Sequence, residues 1–111
     1  MIVDLRIYTT LPGRLPEFVA LYEAKAWPLQ LKYLENCLGW YTTVEGELNT
    51  VVHVWGYADQ GDRERRRNAM AADPAWGDYL KDMATRGLLL RMENRMVKPT
   101  AFFEAFRAGR G

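Results

Sequence analysis

TVVHVWGY, residues 50–57, holds the only histidine of the chain and reads as a central β-strand. Strict alternation sends successive side chains to opposite faces. Val52, Val54 and Gly56 share one face, and Val51, His53, Trp55 and Tyr57 share the other. The first set is small and apolar and is expected to meet helices. The second set is bulky with polar tips, a mixture that suits the lining of a pocket.

Upstream, Ile2 to Thr10 alternates in the same way, with Val3, Leu5, Ile7 and Thr9 against Asp4, Arg6, Tyr8 and Thr10. The turn signal Leu11-Pro12-Gly13 closes that first strand. Leu15, Phe18, Val19 and Tyr22 then fall at helical spacing, predicting a helix to about Ala26. Pro28 is expected to end or kink it at Trp27, before a second piece around Gln30 to Glu35. Gly39 to Glu45 reads as a strand, joined to residues 50–57 by the hairpin loop Gly46-Glu47-Leu48-Asn49.

Downstream, a charged helix follows from Arg63, interrupted at Asp73-Pro74, where aspartate caps and proline opens a new helical segment. Trp76, Tyr79, Leu80 and Met83 form that segment's inward face and Gly87 closes it. Leu88 to Val97 reads as a fourth strand, with Leu88, Leu90, Met92, Asn94 and Met96 opposite Leu89, Arg91, Glu93, Arg95 and Val97. Residues 1–99 thus form one domain, and 100–111 a tail whose Phe102, Phe103 and Phe106 want a surface to cover.

The element order is βαββαβ, a ferredoxin-like α+β protomer with a four-stranded antiparallel sheet and helices on one face. Val3, Leu5, Ile7, Val52, Val54, Leu88, Leu90 and Met92 are expected beneath the helices. Asp4, Arg6, Tyr8, His53, Trp55, Tyr57, Arg91 and Glu93 would occupy the opposite face. An aromatic patch of that size predicts burial against a second copy, two sheets closing a dimeric α/β barrel.

At 111 residues, 49% hydrophobic, the chain suits one globular domain. Its net charge of +1 provides no field to draw it to nucleic acid or an anionic membrane. The run Arg63 to Arg67 (RERRR) is read as a solvated helix face. A lone cysteine, no presequence pattern and no apolar run of bilayer length predict a soluble, cytoplasmic protein.

The opening VDLRIYTTLPGRLPEF, the block LGWYTTVEGELNTVVHVWGYAD, the helix DRERRRNAMAADPAW and the closing MENRMVKPTAF resemble the NIPSNAP family, a branch of the dimeric α/β-barrel superfamily. The resemblance spans nearly the whole chain and implies a ferredoxin-like protomer in a barrel closed by dimerisation. The wider superfamily includes cofactor-independent monooxygenases, polyketide cyclases, lactone isomerases and haem enzymes, an analogy of fold only.

His53 is the candidate general acid/base, since an ordinary imidazole titrates near pH 6.5. Arg6 can hold a carboxylate or an enolate. Tyr8 and Tyr57 can donate to a carbonyl or phenol, Trp40 and Trp55 offer flat walls, and Glu93 can orient His53 or neutralise Arg6. The expected ligand is a small aromatic or carbonyl-bearing metabolite, and the expected chemistry an isomerase, cyclase or monooxygenase type with His53, Arg6 and Tyr57 acting. The alternative is a homodimeric interaction module in which Arg6 and Glu93 form a structural ion pair, His53 is an interior histidine and the tail is a docking strand. Neither a metal nor a cofactor is expected, because one histidine and one cysteine make no zinc site and no glycine-rich phosphate loop is present.

Overall fold

The computed structural model describes residues 1–110; Gly111, the last residue of the expected tail, lies outside the described residues. Strands β1 (Ile2–Thr10), β2 (Cys37–Thr42), β3 (Thr50–Tyr57) and β4 (Leu89–Val97) form one antiparallel sheet in the order β2-β3-β1-β4. Helices α1 (Leu15–Leu21) and α2 (Trp27–Tyr33) follow β1, α3 (Gln60–Ala71) and α4 (Pro74–Arg86) follow β3, and α5 (Ala101–Arg110) follows β4. This is the ferredoxin-like order read from the sequence.

Local chemistry sets the boundaries. The Asp59 carboxylate accepts from the Asp62 N–H at 2.7 Å and starts α3, and Asp73 accepts from the Ala75 N–H at 2.9 Å and starts α4. Gly87 ends α4 in the left-handed conformation at φ 60°. Between α1 and α2 the chain stays helical but widens into a π turn, Tyr22–Ala26, with the Trp27 N–H donating to the Tyr22 carbonyl. Pro28 accounts for the widening: its ring and missing N–H do not fit a regular turn, and the extra residue makes room. The four buried residues Phe18, Tyr22, Ala26 and Gln30 are thereby aligned on one inward line at steps of four. The expected break at Pro28 is instead this adjustment.

The sheet turns over relative to expectation. Directly opposed residues share a face, and the pairs Arg6 with His53, Tyr8 with Val51, Asp4 with Trp55, Trp40 with His53, and Tyr8 with Met92 define one side. That side is the one the helices cover. Tyr8 and Val51 pack with Phe18, Leu21, Tyr22, Ala26, Tyr79 and Leu88, and Trp55 and Tyr57 pack with Leu34 and Met70. The opposite, open face carries Val3, Leu5, Ile7, Val52, Val54, Tyr41, Glu93, Arg95 and Val97. The inward residues of the helices are themselves large aromatics, so they complement the bulky strand face, while α3 delivers Arg63 to the buried Asp4.

Smaller corrections follow. The second strand begins at Cys37 and stops at Thr42, earlier than Gly39 to Glu45. Irregularities at Cys37/Gly39 and at Thr9/Thr10 shift the register, and the second of these separates Leu90 from the alternation of Met92, Asn94 and Met96. The tail is a helix rather than a docking strand, with Phe102, Phe103 and Phe106 exposed. Among the described residues no helix is long and apolar enough to cross a membrane.

Candidate functional site between the sheet and the helices

The strand β3 places His53 at the centre of the space between the layers. Its ring meets Tyr8 edge-on at 4.8 Å between centroids, Tyr22 at 5.7 Å, and Trp40 in a stack at 5.4 Å. Nδ1 accepts a hydrogen bond from Trp55 Nε1 at 2.8 Å. The neutral imidazole therefore carries its proton on Nε2, a buried atom with no hydrogen-bond partner among the described residues. Burial, aided by the nearby Arg6 charge and opposed by Asp4, pushes the His53 pKa down to about 3. At neutral pH the ring is uncharged and sealed.

Beside it lies a charged cluster. Asp4, fully buried, accepts from Arg6 Nη1 at 3.1 Å, from Arg63 Nε at 3.0 Å and from Asn94 Nδ2 at 3.0 Å. Burial alone would raise its pKa, but the Asn94 hydrogen bond and the two arginines outweigh it and hold the carboxyl below its ordinary range. Arg6 also donates through Nε to the Tyr8 hydroxyl at 2.8 Å. The Tyr8 oxygen is thus an acceptor from Arg6 and keeps its own proton to donate elsewhere.

This cluster opens into a cavity of about 530 Å³ between β1, β4 and α4. Arg6, Tyr8 and Arg67 supply its polar atoms; Tyr22, Trp76, Tyr79, Leu80, Met83, Leu89 and Met92 supply aromatic and aliphatic wall. Burial raises the Tyr22 and Tyr79 hydroxyl pKa values, so both stay protonated. Among the described residues no carboxylate pairs with Arg67 within 4 Å. Asp4 pairs with Arg6 and Arg63, while the charged groups that line the cavity, Arg6 and Arg67, are both cationic.

Of the residues singled out from the sequence, Arg6 and Tyr8 line this cavity. Trp40 lines a smaller one at the β2 edge. Trp55 and His53 are fully buried behind the walls. Tyr57 lies with Leu34, Trp55 and Met70, its hydroxyl buried beside the Arg67 guanidinium; burial raises its pKa and Arg67 opposes the rise. Glu93 pairs with Ile7 on the open face, so it neither orients His53 nor neutralises Arg6. The ion partner of Arg6 is Asp4 instead.

The sequence reading places Asp4 on the polar face but gives it no role, and leaves Arg63 and Arg67 in solvent because RERRR reads as a solvated helix face. A usable signal was present: 63, 67 and 70 lie on one helical stripe, and Met70 at its end is buried. Among the described residues no three His, Cys, Asp or Glu side chains gather as metal ligands.

A four-stranded antiparallel sheet in the order β2-β3-β1-β4 with helices on one face defines a ferredoxin-like α+β protein. An antibiotic biosynthesis monooxygenase matches it with a TM-score of 0.60 at 11% identity, a likeness of fold alone. The NIPSNAP family model matches residues 3–104, and the chain belongs to that family. An uncharacterized NIPSNAP-like domain protein from Burkholderia xenovorans is 39% identical, with a TM-score of 0.83 over 91% of this chain and 86% of that one. A NIPSNAP family protein from Agrobacterium tumefaciens is 35% identical, with a TM-score of 0.84 over 91% and 94% of the two chains. Protein NipSnap homolog 1 of Danio rerio is 31% identical over 88% of this chain, which spans about a third of that relative's length (34%).

Proposed function

We propose that the cavity between β1, β4 and α4 binds a small aromatic or carbonyl-bearing metabolite and supports cofactor-independent acid/base chemistry on it. The observation that carries this reading is the pairing of Arg6 and Arg67 with the Tyr8 hydroxyl inside an otherwise aromatic and aliphatic cavity of about 530 Å³. A guanidinium fork matches a carboxylate or a developing enolate. Tyr8, held by Arg6, is placed to donate to a carbonyl oxygen, and the rings flank a flat ligand body. His53 then serves as the neutral support of Tyr8 and Trp40 rather than as the proton carrier. The test is calorimetric titration of pooled aromatic carboxylic acids and phenolic ketones into the full chain. Binding by one pool, lost in Arg67→Gln, is expected; absence of binding in every pool, or equal binding by that variant, overturns the reading.

A second observation supports a homodimer. The open face bears Leu5, Ile7, Val52 and Val54 in adjacent rows, and among the described residues none of the four belongs to a packed core cluster; leaving aliphatic strands against water forfeits about 25 cal/mol per Å². We propose that a second copy covers this face, which leaves the helix-side cavities outward. Light scattering at micromolar concentration should give twice the chain mass, and Val54→Lys should halve it; a monomeric wild type refutes the assembly. The half-buried Cys37, its thiol pKa raised by burial, fits a cytoplasmic setting.

A further inference from the structure

We infer that the smaller cavity at the β2 edge is a site for a methylated ammonium group. It measures about 220 Å³, opens broadly to solvent and is lined by Val19, Tyr22, Glu23, Trp27 and Trp40, brought together by α1, the π turn, the start of α2 and β2. Three of the five lining residues are aromatic, and two are tryptophan, whose ring face attracts cations most strongly. Tyr22 and Trp40 meet at 4.8 Å with their planes tilted by 55°, making one corner. Trp27 instead packs on Trp55 at 6.0 Å and forms the separate far wall.

Glu23 is the one charged group of the lining, and it stands at the rim, exposed. Among the described residues no lysine or arginine pairs with it, although Lys25 is only two positions away, because Lys25 is held by Asp82 at 3.1 Å. The carboxylate is therefore available to a guest. A primary ammonium is strongly hydrated and loses part of that hydration against an aromatic surface. A trimethylated one spreads its charge over apolar surface, gains from the ring faces and retains the long-range attraction of the acid.

The two cavities have opposite polarity. Arginines set the character of the larger one and a glutamate that of the smaller, and Tyr22 belongs to both walls. The guests they accept are accordingly of different chemical class, and the smaller site stands whether or not the larger one binds a metabolite.

Choline chloride and 3,3-dimethylbutan-1-ol, its uncharged isostere, separate charge from shape. Both are titrated into the full, isotopically labelled chain while the tryptophan indole N–H resonances are followed, with sodium chloride as the ionic control. Choline should shift the Trp27 and Trp40 resonances saturably in the millimolar range, and the isostere should bind about tenfold more weakly, a ratio worth about 1.4 kcal/mol. Glu23→Gln, a change at an exposed position that leaves the walls intact, should weaken choline about fivefold and leave the isostere unaffected. Equal binding of the two compounds, no saturable shift with choline, or an unchanged affinity in Glu23→Gln overturns the inference.

Discussion

Acid should unfold this protein through His53 before it does so through any carboxylate. The folded ring is held uncharged, with its pKa pushed down to about 3, whereas the unfolded chain offers an imidazole near 6.5. A group whose folded pKa is depressed contributes its full stability above the unfolded pKa and loses it as pH falls toward the folded one. Between about pH 6.5 and 4.5 the unfolded state takes up a proton that the folded state refuses, and ordinary carboxylates still titrate little. The slope there is about 1.4 kcal/mol per pH unit, so stability at pH 4.5 should lie about 2.5 kcal/mol below that at pH 7.5. That magnitude follows from the unfolded pKa alone as long as the folded value stays below about 4.5. Urea denaturation of wild type and His53→Gln at half-unit pH steps isolates the effect. The substitution keeps an acceptor for Trp55 Nε1 and removes the titration, whatever it does to absolute stability. Parallel curves for the two proteins, or an NMR titration placing the wild-type imidazole near 6.5, would sink the reasoning.

Asp4→Asn removes the carboxylate that separates Arg6 from Arg63 and should cost about 3 kcal/mol in urea denaturation, because it strands two partly buried cations; a loss under about 1 kcal/mol would show the network to be solvated. Below pH 4 the wild type should lose part of that same contribution, since the folded pKa of Asp4 is lowered, and Asp4→Asn should flatten the stability curve in that range only. Gly87→Ala forces a side chain into the left-handed cap and should lower stability by about 1 kcal/mol, although its Cβ would touch nothing; an unchanged urea midpoint would mean that the cap relaxes freely.

The order of elements was readable because each boundary carries local chemistry: Leu11-Pro12-Gly13 after β1, the Asp59 and Asp73 caps, Gly87 after α4. Which side of the sheet the helices cover was not readable. Alternation sorts residues 50–57 into two sets, but it is silent on which set is inside when both are apolar. Size and polarity alone send Val52 and Val54 to the helices, as small and apolar, and His53 and Trp55 to a partner, as bulky and polar-tipped. The decision rests on volumes that meet across the layer: Phe18, Tyr22 and Tyr79 pack with Tyr8 and Val51 on the bulky side. Trp55 also solves its own polar problem locally, by donating to the ring two residues before it. Arg6 and Tyr8 were found because they are distinctive on a strand. Arg67 is marked only by its place on the stripe that ends at the buried Met70, a signal that the basic run around it masks.

The π turn constrains how this segment can change over evolutionary time. In a regular helix four residues overshoot a turn by about 40°, so three such steps from Phe18 to Gln30 would rotate the last side chain about 120° away from the first. The widened turn absorbs that drift. Regularising the helix at its present length would swing Gln30 about 120° off the inward line and carry Trp27 with it, whereas loss of one residue between Tyr22 and Ala26 would give a regular helix in which Phe18 and Gln30, then eleven residues apart, still stand within about 20° of one another. Substitutions at the exposed Glu23, Ala24 and Lys25 are mild by comparison. The spacing between Phe18 and Pro28 and the width of the turn are therefore coupled: a relative of equal length there should keep the π turn, and one shorter by a single residue should carry a regular helix with the same inward line.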